Sequence, residues 1–176
     1  MEFRVLPIKD KELFLKYAIP CGEVLVKRGD IKEELLRELN EKVSHGQEVD
    51  VPIENIFKVA SRMCTIIARQ MGKREIDAEV IRRYFMVEHE KAIRWRKQIY
   101  PDINLRDCIV YPGRVLSIDS DRALVKTPLG KSLLRSELSG KLKPGDIVST
   151  HYDYISEKVS SDKLRFMARG RVTEAP

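Results

Sequence analysis

Cysteine is scarce in this chain: three thiols, Cys21, Cys64 and Cys108, are spread over 176 residues. An odd, widely spaced set is not a disulfide framework and fits a reducing cytosol. No apolar run approaches the length of about 18 residues that a membrane-spanning helix needs. The opening residues Met1-Glu2-Phe3-Arg4 mix acid and base, and no long apolar stretch follows. The expectation is a cytoplasmic protein without a secretory signal or membrane partner. Asn and Gln together number only six, whereas Glu, Lys and Arg abound, a composition that leans toward a thermophile. The common catalytic signatures are missing as well. There is no G-x-x-x-x-G-K, G-x-G-x-x-G or G-x-S-x-G, no Cys-x-x-Cys and no His-Glu-x-x-His. Nothing in the sequence announces an enzyme.

Neither sign of charge dominates. Lys and Arg total 33 against 27 Asp and Glu, a net charge of +6. Residues 1–106 carry 21 basic and 18 acidic groups and residues 107–176 carry 12 and 9, so each part is +3 and neither is a basic arm. An apolar content of 43% excludes a disordered chain, and the length allows one domain or two small ones.

The chain changes periodicity near residue 100. Before it, apolar residues recur at helical spacing. A short helix is expected over Lys9–Ala18. Asp30-x-x-Glu33 reads as a capping box ahead of Ile31, Leu35, Leu36 and Leu39. Pro52 opens a helix whose stripe runs from Ile53 to Met71 and ends at Gly72. Asp77 caps a fourth helix, with Val80, Tyr84, Ala92, Trp95 and Ile99 expected on one core-facing side. Tyr100-Pro101-Asp102 breaks the pattern. Beyond it, β-like segments cover Cys108–Ile118, Ala123–Lys126, Lys131–Arg135, Ile147–His151 and Tyr154–Val159, separated by turn residues. Ser161 is positioned to cap a final helix over 162–169. The expected fold class is α+β: an N-terminal α-helical bundle over 1–100, then a small OB-like β-barrel with a short C-terminal tail over 101–176.

The β half carries a family resemblance. Cys108-Ile-Val-Tyr-Pro112-Gly113, then Asp121-Arg122-Ala123-Leu124-Val125, Gly145-Asp146-Ile147-Val148-Ser149-Thr150-His151 and Ile155-Ser156-Glu157-Lys158-Val159 follow one another in order. This series resembles the HypC/HupF-type hydrogenase-maturation chaperones over residues 107–165. In those chaperones the Cys directly follows the initiator Met, whereas Cys108 is internal. The helical half, with Tyr17-Ala18-Ile19-Pro20-Cys21-Gly22, resembles uncharacterised prokaryotic proteins that fuse such a domain to a HypC-like barrel. The resemblance implies a small barrel that is not an enzyme in the turnover sense. It also implies a protein partner, a metalloenzyme or maturation scaffold, and iron as a transiently carried cargo. It assigns the family's Cys and His to Cys108 and His151 and its Pro-Gly to Pro112 and Gly113. A thiolate and an imidazole are competent ligands for low-spin iron.

Other readings compete. A nucleic-acid-binding protein would use the OB-like barrel or the basic helix 77–99, with Arg82, Arg83, Arg94, Arg96 and Lys97 on phosphates. The same run reads more simply as a solvated helix face with its aromatics in the core. An enzyme would use Cys108 as nucleophile and His151 as base. Cys64 falls in the apolar stripe of its helix and is expected in the core. Cys21 is expected in an accessible Pro-Cys-Gly turn.

Overall fold

A computed structural model of the chain describes residues 2–160 together with Asp162. The expected closing helix, with its Ser161 cap, lies outside the described residues apart from Asp162 itself. The chain divides into two compact units, Met1–Phe85 and Met86–Pro176.

The first unit is helical. Helix α1 (Lys11–Lys27) begins where the Asp10 side chain accepts a hydrogen bond from the Leu13 N–H at 3.0 Å. It runs straight through Pro20, so it is longer than expected and Cys21 lies in the helix rather than in a turn. A proline inside a helix costs about 3 kcal/mol. Burial of Phe14, Leu15, Tyr17 and Ile19 offsets that cost, since fully burying such side chains is worth about 1.5–3 kcal/mol each. Gly22 lets α1 approach α2 (Glu33–Ser44): a Cβ there would lie 2.3 Å from Leu36 Cδ1. The Asp30–Glu33 capping box does not form. Asp30 instead donates its N–H to the Leu25 carbonyl (2.9 Å) as α1 closes on Gly29, and α2 starts at Lys32 with no side-chain cap.

The helix expected after Pro52 is split into α3 (Ile53–Ile56) and α4 (Lys58–Gln70) at Phe57, which has φ −99° and ψ 61°. That break turns the Phe57 ring edge-on to Phe14 at 6.2 Å. Phe14 and Tyr17 also meet Phe85, at 6.0 and 5.2 Å, in an aromatic core. Cys64 is fully buried, as expected, and burial pushes its thiol pKa strongly up. Gly72 ends α4 with φ +71°, a left-handed conformation that glycine adopts without strain.

Asp77 caps α5 (Ala78–Arg83), accepting from the Val80 N–H at 3.0 Å. A π-turn over Tyr84–Glu88 then precedes α6 (His89–Ile99). An α-helix advances about 100° per residue, and a π-turn holds one residue more. Residues beyond it are therefore turned by about 100° from the face that a constant 3.6 period assigns. The expected single core face is overturned for this reason. Val80 and Tyr84 are buried, but Trp95 is 62% exposed and Ile99 55%.

The second unit carries a closed five-stranded barrel in the order β1-β2-β3-β5-β4, with β4 pairing back to β1. The strands are β1 (Tyr111–Asp119), β2 (Arg122–Thr127), β3 (Gly130–Arg135), β4 (Ile147–His151) and β5 (Tyr154–Lys158). Every pairing is antiparallel except β3 with β5, which meet in parallel at Arg135 and Tyr154. Alternation supplies the interior: Val115, Ala123, Val125, Leu134, Val148 and Ile155 form one buried cluster. β1 is irregular between Val115 and Ser117, where its register on β2 shifts. Cys108 does not open this strand. It ends a one-turn helix, α7 (Leu105–Cys108), capped by Asn104, whose side chain accepts from the Arg106 N–H at 3.1 Å. No helix among the described residues is long and apolar enough to cross a membrane.

Candidate binding site at the mouth of the barrel

α7 and the β4–β5 hairpin bring together residues that lie 43 and 44 positions apart. The Cys108 N–H bonds back to Asn104 O at 3.2 Å, which holds the residue at the end of its helical turn. His151 is the last residue of β4, and its Nε2 lies 3.0 Å from the Cys108 carbonyl oxygen. A carbonyl only accepts, so this contact requires the proton on Nε2. Tyr152 follows in the tight turn to β5 with φ +55°, a strained conformation for a non-glycine residue. From there its hydroxyl sits 2.5 Å from Cys108 Sγ, and its ring packs 5.1 Å from the His151 ring. Its N–H also donates to Asp107 O at 3.2 Å. The turn and α7 are thus joined by backbone, thiol and imidazole together.

Cys108 and His151 are both buried. They are linked through the carbonyl of Cys108, with the sulfur turned to Tyr152. The sequence suggests a thiol–imidazole pair; the structure places both residues in one buried cluster, with the Tyr152 hydroxyl on the sulfur. His89, the first residue of α6, completes the cluster: its ring stands edge-on to His151 at 5.2 Å. Burial drives the His89 pKa well below its ordinary value, and the neighbouring His151 lowers it further. A hydrogen bond to the backbone of Cys108 opposes them. His89 is neutral at pH 7, a state in which an imidazole keeps a lone pair for a ligand. Sequence reasoning missed His89 because 62 residues separate it from His151, with no spacing rule to join them. Tyr152 had a signal, as the residue next to His151 in a two-residue hairpin loop.

Beside this cluster lies a cleft of about 200 Å³. Tyr111, Thr127, Ser132, Thr150 and Tyr152 contribute to its wall, with Arg106 and Asp107 at the α7 end. The Thr150 hydroxyl donates to Tyr111 O at 3.1 Å, so that part of the wall is tied across β1 and β4. The lining combines hydroxyls, two phenol rings, the aliphatic Ile109, Leu129 and Leu134, and one charge of each sign, Arg106 and Asp107, which suits a ligand with mixed polar and apolar surface.

Pro112 and Gly113 lie in β1, paired with Ser149 and Val148 of β4. Gly113 has a packing reason for its identity: a Cβ there would meet Val125 Cγ1 at 2.5 Å. Arg82 and Arg83 belong to α5 in the first unit, whereas Arg94, Arg96 and Lys97 belong to α6 in the second. Arg94 is bound to Glu90 at 2.6 Å, and the Arg96 guanidinium lies 5.5 Å over the Tyr100 ring. No family model matches the chain, and no curated protein matches it.

Proposed function

We propose that the chain is a non-enzymatic binding or assembly factor whose working site is the mouth of a HypC-like, OB-like barrel. In this reading the first unit is an α-helical bundle, and a protein partner, a metalloenzyme or its maturation scaffold, docks at the cleft rimmed by Tyr152. The observation that carries the reading is the position of Tyr152. A bulky residue is held at positive φ, at a cost of about 1–3 kcal/mol, with its hydroxyl on the Cys108 thiol and its ring against His151. Strain of this kind is retained where a side chain must be presented in one orientation. The cleft next to it supplies the room for an incoming group.

The His151 Nε2 is directed at the Cys108 carbonyl and the Tyr152 hydroxyl at the sulfur, an arrangement that supports a binding role for this cluster. A carrier role for iron would have a partner displace Tyr152, since the sulfur is buried beneath it.

The test is quantitative co-purification from the source organism under anaerobic conditions, comparing wild type with Cys108→Ala and Tyr152→Phe. The expected result is one stoichiometric protein partner that both variants lose or weaken. Equal retention by all three would overturn the placement of the site. Iron content and infrared bands for cyanide and carbonyl, read on the same samples, decide the cargo. Absence of both, unchanged by Cys108→Ala, would refute the iron-carrier form.

A further inference from the structure

The α6 helix presents an unusual outer face. Trp95 is 62% exposed, Ile99 one turn on is 55% exposed, and Tyr100 is 43% exposed. Trp95 and Ile99, four residues apart, fall on the same side of the helix, and Tyr100 follows at its end, so large apolar side chains are concentrated here in solvent. They are surrounded by cations. Lys91, Arg94, Arg96 and Lys97 stand against two acids, Glu90 within the helix and Glu88 just before it, the latter 3.5 Å from Lys91. Arg94 is oriented by Glu90 at 2.6 Å, and Arg96 is stacked over Tyr100 at 5.5 Å. Both guanidinium groups flank Trp95 in sequence and are held in place rather than trailing in solvent.

We propose that this face binds single-stranded nucleic acid, with Trp95 as the stacking platform for a base and Lys91, Arg94, Arg96 and Lys97 as phosphate contacts. Charge complementarity selects a polyanion. The open indole selects a polyanion that carries flat rings, because base–aromatic stacking is available to every base. A second copy of the chain would bring together two faces of net positive charge, each with four cations against Glu88 and Glu90, which repels. An anionic membrane would match the charge but has no use for Arg96 stacked along Tyr100. The proposal concerns a surface other than the barrel cleft and does not depend on the partner proposed there.

Trp95 is the only tryptophan in the chain, so its emission reports on this face alone. Titration of the full-length protein with an oligothymidylate of about 16 nucleotides is expected to quench it. The affinity is expected to fall with a log–log salt slope of about −2 to −3, as for about four phosphate contacts on a single strand. Anisotropy of a labelled oligothymidylate then reads the variants. Trp95→Ala is expected to weaken binding about 5- to 150-fold, whereas Trp95→Phe retains most of it. Lys91→Glu with Lys97→Glu weakens binding and flattens the salt slope. These side chains are exposed, and unchanged circular dichroism establishes that each variant is folded. Absence of quenching, or equal binding by Trp95→Ala, would overturn the proposal. Quenching by phosphatidylserine vesicles but not by the oligonucleotide overturns it in favour of a membrane. Loss of a dimer in Trp95→Ala without oligonucleotide binding overturns it in favour of self-association.

Discussion

Replacing Gly113 by alanine places a methyl group 2.5 Å from Val125 Cγ1, 3.3 Å from Thr127 Cγ2 and 3.4 Å from Lys126 O. Carbon atoms in contact prefer about 3.5–4.0 Å, so the first approach is short by about 1–1.5 Å. Val125 cannot yield easily. It is fully buried among Val115, Ala123, Leu134, Val148 and Ile155, and a β-branched side chain is stiff at χ1. The strand must move instead, and overpacking of this kind costs about 1–3 kcal/mol. Val125→Ala removes two methyl groups, worth about 1.6 kcal/mol of transfer energy before the cavity adds to it. In the double variant the new methyl enters the space that Val125 vacates. The two costs should therefore fall short of additivity by about 1–2 kcal/mol. Amide exchange of β1, β2 and β4 in the intact chain measures the local opening energies directly. Strictly additive losses, or a Gly113→Ala change that leaves β1 protection intact, would refute the close approach. A Gly113→Ala protein that lost its partner while keeping full protection would show that the glycine serves binding instead.

Three further outcomes follow from the same structure. His89 has a depressed pKa when folded, so the unfolded chain binds the extra proton. Its stabilising contribution is complete above the unfolded value of about 6.5 and is lost as pH falls below it, at up to about 1.4 kcal/mol per pH unit. Urea midpoints between pH 8 and 5 should show this slope, and His89→Gln should flatten it. Cys108 should react with iodoacetamide more slowly than free cysteine in the native protein, and Tyr152→Gly should accelerate it by uncovering the sulfur. Equal rates in the two proteins would contradict the cover. Gly22→Ala should destabilise the wild type through Leu36. In a Leu36→Ala background the same change should stabilise by about 0.5–1 kcal/mol, the ordinary preference of a helix for alanine. Thermal melts of the four proteins decide it.

Most secondary-structure elements were legible from local pattern alone. Helical spacing around Leu39 and Ile67, the Asp77 cap and the turn residues of the β half each act within a few positions, and neighbouring residues suffice to reveal them. Three misreadings share one cause. Pro20 lies inside α1, Phe57 divides α3 from α4, and the π-turn over Tyr84–Glu88 rotates α6. In each case burial of side chains outweighs a local preference worth only a few kcal/mol. The capping box at Asp30 failed because the same residue was needed to close α1.

The candidate site divides along the same line. Sequence by itself determined that Cys108 and His151 are present, in order, within a β-rich half whose turn spacing suggests a small barrel. It also determined the cations of α6 and the single tryptophan among them. Only the tertiary structure decided that the Cys108 sulfur faces Tyr152 and that His151 bonds the Cys108 carbonyl. It alone placed His89 beside them and Trp95 in solvent. Side-chain direction depends on the phase of a helix and the twist of a turn. One added residue in a π-turn, or one positive φ at Tyr152, redirects a side chain without leaving any mark on composition or spacing.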